Sequence, residues 1–125
     1  MSQQQGPEPR GVFNPRVVDL VSVDEASDEV VLVMLEERAW GSDAEQLREL
    51  EAKFNAYLSY VLGGYLLQQY PDYAERGVRF QLDCVENPRA EEAAFFTAMS
   101  NFAAGEGIRL VVRVMQRGAK GDRPG

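Results

Sequence analysis

Two apolar segments carry charged side chains at alternate positions: Arg79, Gln81 and Asp83 in "VRFQLDCVE", and Arg109 and Arg113 in "IRLVVRVM". Alternation places every second residue of a strand on one face, so each segment aims its polar groups to a single side. If the two strands are neighbours, Asp83 pairs with an arginine across the sheet for about 0.2–1 kcal/mol. Left free, the three arginines form a patch for a small anionic metabolite. Set among aliphatic side chains, they instead suit a protein interface, where arginine and valine tolerate desolvation together.

Most other chemistry is closed off by composition. The 125-residue chain has no histidine and a single cysteine, Cys84, which excludes Ser-His and Cys-His nucleophile pairs, an internal disulfide and a Cys/His zinc site. Cys84 falls on the inward set of its strand and reads as a buried, inert thiol. The carboxylate pairs Glu36 with Glu37 and Asp83 with Glu86 have no spacing that separates them from solvated charge. No glycine-rich phosphate loop is present, because Gly63-Gly64 interrupts a helical pattern and "GEG" at 105–107 ends one. These exclusions point away from an enzyme, with no cofactor and no metal.

Charge narrows the partners further. Residues 13–116 hold nine Lys or Arg against eighteen Asp or Glu, a balance that repels phosphate backbones and argues against nucleic acid. No apolar run reaches the roughly 18 residues of a membrane span. The start, "MSQQQGPEPR", lacks the basic and apolar regions of a secretory signal, so a soluble cytoplasmic protein without a membrane partner is expected.

The elements that must position these residues are legible in the periodicity. Residues 1–12 and 116–125 read as tails around one domain at 13–115. "RVVDLVSV" and "EVVLVMLEE" flank the turn-forming "DEASD" and read as a β-hairpin. Both alternating sets of the second strand are apolar, the mark of a strand covered on two sides. Asp19, in the first strand, is a candidate for the outward face.

Ser42 and Glu45 have capping-box spacing, which predicts a helix from about Asp43. Its apolar stripe is Leu47, Leu50, Phe54, Tyr57, Leu58, Val61, Leu62 and Tyr65, with Glu49 and Lys53 as a favourable surface pair. Tyr60 falls outside the stripe beside Lys53, and Leu66 and Leu67 project from the formerly polar face beyond a kink at Gly63-Gly64. With Trp40, which reads as either a lid on the core or an exposed anchor, they are candidate interface residues.

Asn87-Pro88 predicts a second helix start, with Phe95, Phe96, Met99, Phe102 and Ala103 as its apolar face. The order β-β-α-β-α-β then gives an α+β two-layer sandwich: a four-stranded mixed sheet with both helices on one face.

"VVDLVSVDEASDEVVLVMLEE", Trp40, "LEAKFNAYLSYV" and "QYPDY" together resemble a family of small uncharacterised bacterial proteins, a domain of unknown function. Its recurring features are a "DEVVL" strand, a tryptophan before the helix, an "EKxNxYLxF"-like helix and a "YP" exit. Ala52 stands here at the motif's leading glutamate and Tyr60 at its closing aromatic. The likeness spans about residues 16–113 and implies a fold and a bacterial cytoplasmic setting, but no activity and no site residue. A non-enzymatic interaction module that self-associates as a homodimer or meets another protein is the first expectation. A regulatory domain binding an anionic metabolite is the second.

Overall fold

The computed structural model describes residues 9–115. The segments 1–8 and 116–125, which make up most of the two expected tails, lie outside the described residues. Four strands, β1 (Leu20–Asp24), β2 (Glu29–Glu36), β3 (Gly77–Cys84) and β4 (Ile108–Val114), form one sheet in the order β1-β2-β3-β4. β1 and β2 are antiparallel; β2–β3 and β3–β4 are parallel. The helices are α1 (Gln46–Leu62), the short α2 (Tyr65–Gln69) and α3 (Ala90–Gly105), with a 3-10 turn at Pro71–Tyr73.

Both crossovers, through α1 and through α3, advance one strand in the same direction. Two connections of one hand therefore place both helices on the same face, and the result is the expected α+β two-layer sandwich. The core confirms the layering: Leu50, Phe54, Tyr57 and Leu58 of α1 and Phe96, Met99 and Ala103 of α3 pack with Val30, Leu32, Met34, Phe80, Leu82, Cys84 and Ile108. Phe80 is its centre, with edge-on contacts to Phe54 at 5.9 Å and Tyr57 at 5.7 Å. Each such fully buried side chain contributes about 1.5–3 kcal/mol.

The local starts and stops differ from their sequence expectations. The Ser42–Glu45 capping box does not form. Asp43 Oδ1 accepts from the Glu45 N–H at 2.9 Å, Gln46 Oε1 takes the Gly41 N–H at 2.8 Å, and α1 opens at Gln46. Nor does Asn87 cap α3, because Arg89 is the N-cap and Glu92 Oε1 reaches back to its N–H at 3.0 Å. Gly64 adopts φ 88°, a left-handed turn that only glycine makes cheaply, and it splits the expected single helix into α1 and α2. The apolar stripe is thereby truncated: Leu62 and Tyr65 are exposed rather than core, and Phe102 likewise lies open at the outer side of α3.

The core also begins earlier than residue 13. Val12 is buried and its N–H donates to Leu35 O at 2.8 Å. Gly11 precedes it at φ 130°, where a Cβ would stand 2.6 Å from the Phe13 ring.

Candidate functional site

The side of the sheet away from the helices is built by alternation. Register sets Leu20 opposite Val33, Ser22 opposite Val31 and Asp24 opposite Glu29; it then sets Val31 beside Arg79, Val33 beside Gln81, and Leu35 beside Asp83. On β4, Arg109, Val111 and Arg113 complete the rows. The five expected sheet-face residues, Arg79, Gln81, Asp83, Arg109 and Arg113, are thus brought together on one surface.

Their partners are carboxylates. Arg79 Nη1 donates to Asp24 Oδ2 at 3.1 Å and Glu29 Oε1 at 2.9 Å. Arg109 grips Glu29 with two bonds, Nε to Oε2 at 2.9 Å and Nη2 to Oε1 at 2.8 Å. Arg113 meets Asp83 through two longer contacts of 3.3 Å, and Gln81 donates to Asp83 Oδ1 at 3.1 Å. Three arginines are matched by Asp24, Glu29 and Asp83, so these six side chains carry no net charge within an acidic chain, and Glu25 at the rim lies 3.5 Å from Arg76. Between these pairs lie Leu20, Ser22, Val31 and Val33, around a depression of about 350 Å³.

The hydrogen bonds from Arg109, aided by the nearby Arg79 charge, hold the Glu29 carboxyl at about 2, against an ordinary 4.5. A depressed folded value means the stabilisation is full above pH ~4.5 and is lost as pH falls towards 2. Glu29→Gln is therefore expected to flatten the decline in stability between these limits, read as urea midpoints across pH. An unchanged acid slope would count against the pairing.

Asp19 does not join this face. It lies just before β1, buried, and faces a lysine that the sequence placed on the solvent side of α1. Lys53 Nζ donates to Asp19 Oδ1 at 2.9 Å, Asn14 O at 2.7 Å and Val17 O at 2.5 Å. The other donors to Asp19 are Gly11 N–H to Oδ1 and Leu35 N–H to Oδ2, both at 2.9 Å. One turn along α1, the Tyr57 hydroxyl accepts from the Asp19 N–H at 2.8 Å and donates to Val33 O at 2.6 Å. Burial pushes the Tyr57 phenol well above its ordinary range.

This network clamps the segment 11–19 onto both layers. All three ammonium donors of Lys53 are used, and neither charged side chain reaches solvent. With no room for a substrate, it is structural rather than catalytic. The expected Glu49–Lys53 pair is accordingly absent, and Glu49 instead meets Arg38 Nη2 at 2.8 Å, which also holds the buried Glu36. One signal was available in the sequence, since Lys53 is the only charged residue between Glu51 and Asp72.

The candidate interface residues on the helical side are mostly unavailable. Leu66 is 2% exposed and Trp40 5%; the Trp40 Nε1–H donates to Glu86 O at 2.9 Å and its ring meets Phe96 edge-on. Trp40 is a lid on the core, not an anchor for a partner. Tyr60 is half-buried and hydrogen-bonded to Gln69, while Leu67 alone of the four is open. Cys84 is buried, and desolvation with the nearby Asp83 charge pushes its thiol up to about 11. Among the described residues no helix is long and apolar enough to cross a membrane.

The fold and its surfaces define a class: a small α+β sandwich with a charge-paired sheet face and a buried ionic clamp. Residues 11–116 match a family of unknown function, DUF6572, and the chain belongs to that family. No curated protein and no solved structure matches it.

Proposed function

We propose that the protein is a non-enzymatic interaction module of the cytoplasm that self-associates through the sheet face opposite its helices. The observation that supports this reading is the pairing of charge on that face. Two copies of a chain with net charge −7 repel each other in most orientations. Asp24, Glu29 and Asp83 balance Arg79, Arg109 and Arg113, so apposition here carries no net repulsion. Leu20, exposed beside the already covered Val31 and Val33, supplies the apolar group that such a contact buries, and a two-fold axis through the patch makes it self-complementary.

The paired state of the arginines favours this over a small anionic metabolite, which would have to draw Arg79, Arg109 and Arg113 off their separate carboxylates to gather them around one ligand. Leu20 is 47% exposed, so Leu20→Arg leaves the fold intact while setting an unmatched charge within the contact. Light scattering after size exclusion is expected to read twice the 14.0 kDa chain mass for the wild type and one chain mass for the variant. A wild-type monomer at about 100 µM, where even 10 µM affinity would fill the interface, would sink the proposal.

A further inference from the structure

We infer that the outer edge of β4 is a second recognition site, taking an extended peptide that alternates apolar and acidic side chains as a fifth strand. β4 ends the sheet, with β3 its only neighbour among the described residues. The Met115 N–H donates to Cys84 O at 2.7 Å, which fixes the parity of the ladder. In a parallel pair, alternate residues turn both N–H and C=O to the same side. Arg109, Val111 and Arg113 therefore bond to β3, while Leu110 and Val112 turn theirs outward, where no described residue takes them.

The side chains of those two residues complete the site. Leu110 and Val112, with Phe96, Thr97, Ser100 and Asn101, line a groove of about 240 Å³ between α3 and β4. A free strand edge beside a groove supplies what an extended ligand uses: main-chain bonds for affinity and a pocket for every second side chain. Residues of the ligand that face α3 enter an apolar groove with a hydroxyl-bearing rim, which fits valine or leucine. Its intervening residues emerge on the opposite face about 4.8 Å from β4. There they meet Arg109 and Arg113, which hold Glu29 and Asp83 through Nε and Nη2 only and whose side chains are 56% and 62% exposed, so a ligand carboxylate fits at the remaining Nη1 of each without displacing its partner. A second copy of β4 fits less well, because antiparallel pairing about Val111 sets Arg109 against the other copy's Arg113.

The probe is a fluorescein-labelled, N-acetylated heptapeptide alternating valine and glutamate, titrated with the full chain and followed by anisotropy. Saturable binding is expected, weakened about tenfold or more when lysine replaces glutamate or when alternate peptide nitrogens are methylated. Val112→Pro removes one outward N–H, a substitution an edge strand tolerates, and is expected to cost the same with unchanged circular dichroism. If that variant fails to fold, Ser100→Trp, which fills the groove from α3, carries the same expectation.

No saturation by about 1 mM, or equal binding of the methylated or lysine peptide, would overturn the assignment. This site stands apart from self-association: Leu20→Arg should leave peptide binding intact, and Val112→Pro should leave the mass of the assembly intact. A Val112→Pro variant whose mass instead halves would put a second copy on the edge and overturn the peptide assignment.

Discussion

Lys53→Met is expected to lower the unfolding free energy by about 3–5 kcal/mol, the usual cost of removing one partner from a buried ion pair. Methionine retains most of the length and apolar stem, so packing changes little. What is lost is the ammonium that satisfies Asn14 O, Val17 O and Asp19 Oδ1. Asp19 is then a carboxylate without a counter-ion at a site that water does not reach. Against a typical domain stability of about 5–15 kcal/mol, that loss is a large fraction.

Urea unfolding followed by circular dichroism measures it, and a second variant identifies its cause. In the Lys53→Met background, Asp19→Asn removes the uncompensated charge yet keeps an oxygen for Gly11 or Leu35. The double variant is therefore expected to be more stable than Lys53→Met alone. If the two costs simply add, lost packing rather than the orphaned charge explains the result.

Tyr57→Phe is expected to cost about 2–4 kcal/mol, more than the ordinary value of one hydrogen bond, because a single hydroxyl serves two backbone groups. The phenol sits where the direct ladder between the first two strands stops. It bridges the Asp19 N–H and the Val33 carbonyl, and without it both are buried and unpaired. The ring itself stays in place against Phe80, so the apolar burial is conserved. The loss should appear as a lower urea midpoint with an unchanged slope. It should be accompanied by faster amide exchange at Asp19, whose N–H alone in that segment relies on Tyr57. A cost below about 0.5 kcal/mol would mean that water replaces the hydroxyl.

Of these two residues the sequence places Tyr57 in the apolar stripe of α1 but Lys53 at the surface. Helical spacing puts Lys53 beside the polar flank of α1, and the favourable i,i+4 geometry offers Glu49 as its partner. The alternative partner, Asp19, is 34 residues away, and nothing local in either segment announces the other. Its carboxylate is reached only because the 11–19 segment folds over the start of β1. Tertiary packing therefore overrides the local preference.

By itself the sequence determined the elements and the sheet face. Period-two alternation in β3 and β4 and helical periodicity in α1 and α3 are local consequences of backbone geometry, so they survive without knowledge of neighbours. Arg79, Gln81, Asp83, Arg109 and Arg113 follow from them directly. Only the tertiary structure decided which carboxylates meet those arginines, that Leu66 and Trp40 belong to the core, and that a lysine is buried. Each of these depends on register, on the left-handed turn at Gly64, or on contacts between distant segments. Such contacts form when the whole chain closes around its core, because desolvation is then shared across many groups that no short window of residues contains.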